Sequence, residues 1–283
     1  MKRFALYSAA FIFIPILSGC ATNRNPAPQQ GRPGWALVWR DEFSGPDGSA
    51  PDPKKWMYDI GVGGDGWGNR ELEYYTDLAQ NVRIRRGNLV ITALKEKFTG
   101  GDGVTRDYTS TRLKTQGLFA QTYGRFEARI KIPRGQGIWP AFWMLGDDID
   151  SAGWPKCGEI DIMENIGKEP GTLHGSLHGP SMTAGTSDAT QIIALPAGQM
   201  LAADFHLYAV EWEPDVVRFY LDETLYATFK KSEWPAGGHW VFDHPFFLLL
   251  NVAVGGDWPG PPDSTTVFPQ EMLVDYVRVY AKQ

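Results

Sequence analysis

Cysteine is nearly missing from this chain of 283 residues. Only Cys20 and Cys157 occur, and because the first falls at the end of an N-terminal leader, no intramolecular disulfide is expected in the mature domain. A packed core must supply the stability. Helix-period apolar stretches are scarce as well, with only Pro53 to Tyr58 and Pro196 to Phe205 reading as short helical turns. Basic clusters are absent, and the net charge is −6, which argues against nucleic acid and against an electrostatic membrane-binding surface. The expected partner is uncharged. There is no internal repeat and no second composition regime, so one domain is expected.

At the N-terminus, Met1-Lys2-Arg3 precedes an apolar stretch from Phe4 to Leu17 and the small residues Ser18 and Gly19. This reads as a secretory leader over residues 1–19, too short for a stable membrane span. Leu17-Ser18-Gly19-Cys20 resembles the bacterial lipobox, which implies acylation of Cys20. Ala21 follows where an aspartate could stand, and the same resemblance then implies an outer-membrane destination. Residues 20–34 are rich in Pro, Asn and Gln and read as a disordered tether. The domain is expected over residues 35–283, attached to the membrane only through the anchor.

Short runs rich in Val, Ile, Phe, Tyr and Trp fill that domain, separated by Gly, Pro, Asn and Asp. They are Val82 to Ile84, Leu89 to Leu94, Gly124 to Ile132, Glu159 to Glu164, His206 to Trp212, Val216 to Leu221, Phe246 to Val252 and Asp275 to Ala281. Alternation in Arg125-Phe126-Glu127-Ala128-Arg129-Ile130 predicts strands with one wet and one dry face. An antiparallel β-sandwich follows.

Glu159-Ile160-Asp161-Ile162-Met163-Glu164 is the most informative segment. In a regular strand Glu159 and Asp161 share a face while Ile160 and Ile162 point the other way. Glu164, five residues after Glu159, would face away from them. One extra residue taken up as a β-bulge, assigned to Met163, returns Glu164 to the acid face. Three sheltered carboxylates on one face repel and lose hydration, which a purely structural strand avoids. A metal site would need ligands beyond three oxygens in a line; a solvated edge strand is the structural alternative, weakened by the large apolar Ile160, Ile162 and Met163 in the same run. Retaining glycoside hydrolysis wants this arrangement, with one carboxylate attacking and a second, protonated, donating to the leaving oxygen about 5 to 5.5 Å away. Asp161 between them separates their titrations.

These six residues resemble the active-site signature of glycoside hydrolase family 16, in the longer, bulged version of laminarinase-like endo-β-1,3-glucanases. The resemblance extends over Trp39 to Phe43, Gly68 to Tyr75, Gly137 to Leu145, Asn251 to Gly260 and Asp275 to Tyr280. It implies a curved antiparallel jelly-roll sandwich, concanavalin A-like, with a concave cleft holding a β-glucan. Glu159 is then the nucleophile, Asp161 its assistant and Glu164 the acid/base. Catalysis is expected to need no cofactor.

Glycans present flat apolar faces ringed by hydroxyls, so the cleft is expected to offer aromatic platforms with amides and acids. Trp139 and Trp143 match the family's lining tryptophans, with core packing the alternative for Trp143. Asn69 and Glu73 flank a glycine-rich loop, Gly61 to Gly68, suited to a cleft wall. His178 matches a family histidine near the acids, Trp258 lies on a turn-rich loop, and Asn251 can bond a hydroxyl or a strand end. Trp212 and Arg129 are further lining candidates. A structural calcium is implied at Glu42, the Gly87 carbonyl and Asp275, a hard-oxygen set. A monomer is expected. The competing functions are a non-catalytic β-glucan-binding protein and the same chemistry on an agar- or carrageenan-type galactan.

Overall fold

The computed structural model describes residues 32–182 and 185–283. Cys20, the leader and most of the tether lie outside the described residues. Arg32, Pro33 and Gly34, read as the end of the tether, are instead tied to the domain. The Arg32 guanidinium pairs with Glu223 and reaches Glu127 at 3.3 Å, and Gln283 N donates to Gly34 O at 2.9 Å.

Two sheets stack face to face. One has seven strands in the order 186–194, 172–180, 159–164, 138–146, 246–254, 112–114 and 57–59. The other has ten strands and includes Gly124–Lys131, His206–Glu213 and Gln270–Lys282. Pairing is antiparallel except for Glu73–Tyr75, which runs parallel to Thr105–Ser110. Every strand expected from composition is present. Ile138–Gly146 and Thr172–Pro180 were not expected, because Pro140 interrupts the first and Gly175, Gly179 and two histidines dilute the second. Among the described residues helix is confined to short turns such as Leu201–Ala203, inside the stretch expected to turn, while Met57–Asp59 is a strand.

The core lies between the sheets. Ile160, Ile162 and Met163 are fully buried in it, beside Phe142, Leu177 and Phe246. Burying each such side chain contributes about 1.5–3 kcal/mol, enough to fix which face of the acid strand points inward. Trp212 also belongs there: it is fully buried and its Nε1 donates to Phe242 O at 3.0 Å. It therefore does not line a cleft.

The acid strand, Glu159–Glu164, carries the bulge. Against strand 138–146, Asp161 pairs with Trp143 and Met163 with Phe142, so three residues span the length of two. Against strand 172–180, Asp161 pairs with Ser176 and Glu164 with His174, again three opposite two intervals. Ile162 and Met163 both turn into the core, and Glu164 returns to the outer face with Glu159 and Asp161.

Deleting Met163 removes the extra residue and turns Glu164 toward the core, so kcat is expected to fall by about 10²- to 10⁴-fold, the usual contribution of general acid–base catalysis. Met163→Leu keeps the count and the volume and is expected to cost less than about 1.5 kcal/mol of stability with activity near wild type. Turnover measured beside circular dichroism tests this, and a folded, fully active deletion variant would refute the bulge argument.

Candidate active site

The three carboxylates open into a cleft of about 760 Å³ on the outer face of the seven-stranded sheet. Glu159 Oε2 accepts from Trp154 Nε1 at 2.6 Å, and Glu164 Oε1 accepts from Trp139 Nε1 at 2.9 Å. His178, paired across the strands with Glu159, places Nε2 at 2.9 Å from Asp161 Oδ2 and Nδ1 at 2.7 Å from Asp188 Oδ1. Each acid thus has a different neighbour.

Their electrostatics differ accordingly. Burial pushes Glu164 up to about 8, and the adjacent Asp161 charge adds to the rise. Asp161 is pushed up to about 7, by burial and then by Glu159. Glu159 is raised by burial too, but His178 opposes the shift and the Trp154 bond favours the anion. Burial alone would lower His178, yet Asp161, Glu159 and Asp188 together hold it up at about 11. At neutral pH the site contains an imidazolium, a protonated Glu164 and, in Glu159, the carboxylate best stabilised as an anion. That pairing suits nucleophilic attack by Glu159 with proton donation by Glu164.

Glu159, Asp161 and His178 also form a cluster compact enough for a metal, their ligand atoms all within 4.8 Å. An imidazolium between two carboxylates offers no lone pair, so the cluster acts as an ion network.

The expected platforms line the cleft. Trp139 meets the edge of Trp258 at 5.3 Å between centroids, and Trp258 meets His174 at 4.9 Å. Trp143 Nε1 donates to Asn251 Oδ1 at 2.8 Å, Asn251 Nδ2 donates to Tyr75 OH at 3.1 Å, and Tyr75 OH donates to Glu71 Oε2 at 3.0 Å. Asn69 Nδ2 donates to Glu71 Oε1 at 3.2 Å. Asn251 is therefore held on both sides, with its side chain at the cleft floor.

Besides Trp212, two more expected lining residues do not reach the cleft. Glu73 is buried behind Glu71, its Oε2 accepting from Val254 N at 2.6 Å; Glu71 is the wall residue. Arg129 lies on the ten-stranded sheet, paired with Asp275 at 2.9 Å and stacked 4.4 Å from the Phe205 ring. Trp154, Glu71, Arg112, Trp67, His174 and Asp188 line the cleft without having been singled out. For Trp154 there was a signal, its place just before the acid strand. The Arg112 guanidinium sits between Trp67 and Trp143, 4.6 and 4.7 Å from their rings, and pairs with Asp59 at 3.0 Å.

The set Glu42, Gly87 and Asp275 comes together by register, since Asp41 pairs with Val277 and Leu89 with Val274. Both carboxylates have arginine partners: Arg278 binds Glu42 through two 2.8 Å bonds, and Arg129 holds Asp275. The oxygens suit calcium, which would exchange these two ion pairs for its own charge.

The family model for glycosyl hydrolases family 16 matches residues 70–278. A beta-glucanase of Rhodothermus marinus is 42% identical, over 99% of this chain and 96% of that protein. The laminarinase catalytic domain of Thermotoga maritima MSB8 superposes with a TM-score of 0.81 at 49% identity, covering 88% of this chain and 99% of that one. The laminarinase of Rhodothermus marinus superposes at 0.76 and 44% identity, covering 87% and 97%.

A pH profile tests the charge assignment. Glu164 must be protonated to act as the acid, so the alkaline limb of kcat/KM is expected near pH 8. Trp139→Phe removes a donor that favours the Glu164 anion, so the limb should move to higher pH, by about one unit for a hydrogen bond to a charged group. Movement to lower pH, or a limb that stays in place, contradicts the assignment.

Proposed function

The chain belongs to the glycosyl hydrolases of family 16, and from that premise we propose that it is an endo-acting, retaining β-1,3-glucanase of the laminarinase type. The observation that carries the reading is the electrostatic division between Glu159 and Glu164 on one bulged strand, set among tryptophans in an open cleft. Glu159 attacks the anomeric carbon while protonated Glu164 donates to the departing glycosidic oxygen. Glu164, now anionic, takes a proton from water that opens the glycosyl-enzyme, and the configuration is retained after two inversions. Asp161 and His178 keep the negative charge on the Glu159 side.

A non-catalytic glucan-binding role would not require three costly carboxylates in register. A sulfated galactan would call for free basic groups in the cleft, whereas Arg112 is already paired with Asp59 and stacked between two indoles. Both features favour a neutral glucan. No cofactor takes part. A structural calcium at Glu42, Gly87 and Asp275 belongs to the proposal as a stabilising ion with no catalytic step; a higher Tm with calcium than with chelator is its measure.

We also propose that Cys20 is acylated and anchors the enzyme to a bacterial membrane, since the lipobox-like run ends there and the domain docks by Arg32 soon after. Cys20→Ala is expected to move the protein from the membrane pellet to the soluble fraction with unchanged specific activity. Continued sedimentation after a salt wash would sink the anchor.

Azide distinguishes the glutamates on an aryl β-laminaribioside. Each alanine variant should lose at least about 10⁴-fold in turnover of unactivated glucan. In Glu159→Ala, azide enters the space left by the nucleophile and gives the α-glycosyl azide by one inversion. In Glu164→Ala, Glu159 still forms the glycosyl-enzyme, and azide replaces the unactivated water to give the β-azide. Products of the opposite anomeric sense would exchange the two roles, and two variants active without azide would place the pair elsewhere.

A further inference from the structure

Asp188 stands on the edge strand Thr186–Ala194, whose pairing with Thr172–Pro180 sets it directly opposite His178. Its Oδ1 accepts from His178 Nδ1 at 2.7 Å, and its Oδ2 accepts from Thr186 Oγ1 at 2.9 Å. Both oxygens are thereby oriented. On the other side of the ring, His178 Nε2 lies 2.9 Å from Asp161 Oδ2. That oxygen is buried and has no aligned hydrogen-bond donor, so what it meets is the charge of the ring. A neutral imidazole carries one N–H and one lone pair, and with a carboxylate against each nitrogen its lone pair would face an anion. Protonation of both nitrogens removes that conflict.

We propose that Asp188 is a positioning residue of the reaction: it clamps His178 from the edge strand as a doubly protonated ring, and that charge favours the anionic form of the nucleophile Glu159. The inference rests on the reading of Glu159 as nucleophile. Asp188 touches neither the acid strand nor the reacting atoms, and acts through His178 alone. The charged groups facing His178 are Glu159, Asp161 and Glu164 from its neighbour on one side and Asp188 from the other. Strand 138–146 sets Leu145, Trp143 and Ala141, none of them titratable, opposite Glu159, Asp161 and Glu164. Asp161 is almost fully buried, whereas the Asp188 side chain is 46% exposed, so Asp188 holds the ring from the solvent side. Burial of the ring works against its charge, and the surrounding carboxylates overcome it.

The test uses the full chain with ¹⁵N-labelled histidine. In the wild type both His178 nitrogens should be protonated at pH 8; a neutral ring there overturns the proposal, and this measurement needs no variant to fold. In Asp188→Asn the ring should titrate at lower pH. Glu159 then loses a stabilising positive charge, so the acid limb of kcat/KM should move up by about one unit, with kcat at pH 6 about tenfold lower and KM within about twofold. Asp188→Glu should restore most of the shift. A folded Asp188→Asn protein whose acid limb does not move, or whose loss appears in KM alone, overturns the proposal. If the azide products reverse the glutamate roles while His178 is doubly protonated, the nucleophile assignment fails and the clamp stands.

Discussion

Three carboxylates on one face of a single strand are the constraint on which the rest of this molecule depends. Packing against the core gives the acid strand its position, but it also removes water from groups that want to be charged. The sequence meets both demands by alternation and one irregularity. Ile160, Ile162 and Met163 take the inner face, and the bulge lets two of them follow one another inward so that Glu164 returns to the outside. A regular strand of the same length would bury the acid. The neighbouring strands are then committed, because Trp139, Trp143, His174 and His178 must project from the two strands flanking these acids.

Burying the acids couples stability to pH. Glu164 and Asp161 have folded-state pKa values above their ordinary ones, so above the unfolded value the unfolded chain ionises while the folded protein holds the proton. Stability from these two therefore falls as pH rises, through the window that ends near 7 for Asp161 and near 8 for Glu164. His178 is raised to about 11, and its contribution, of the same sign, is fully present below the ordinary histidine value, declines as pH rises above it and is gone past 11. All three groups thus lose stability toward alkaline pH, and between pH 7 and 9 the imidazolium still supplies part of its share. The same charge that lies beside Glu159 supports the fold around it.

The acid strand was legible because period two and residue count are properties of a single segment. Which sheet a strand joins is not. Arg129 alternates with the buried Ala128 and Ile130 as a surface residue should, yet its surface is that of the ten-stranded sheet, away from the cleft. Glu73, expected on the cleft wall beside the glycine-rich loop, is taken off it by the turns that the loop makes. Asp65, Trp67 and Arg70 adopt left-handed backbone angles there, and Gly66 lies against the Glu71 backbone, where a Cβ would come within 2.5 Å of its nitrogen. That turn delivers Glu71 to the cleft and sends Glu73 behind it. Arg112 and Asp188 meet the site through strand pairings, which no local pattern encodes, whereas Trp154 lies only five residues before Glu159.

The tryptophans show how the two tasks of the cleft, holding a neutral chain and tuning acids, are combined in one residue type. Trp154 gives its indole N–H to Glu159, Trp139 to Glu164, and Trp143 to Asn251. An indole has a single donor, so once it is bound the ring orientation is fixed and only the π faces and edges remain for a ligand. A sugar ring needs such a face and gains from finding it already oriented, since little rotamer freedom is left to lose on binding. The bond that fixes each platform on the catalytic pair also adjusts the charge of the acid it touches. A substitution at Trp139 or Trp154 consequently alters binding and proton affinity together, and the two effects separate only when pH dependence is read beside KM.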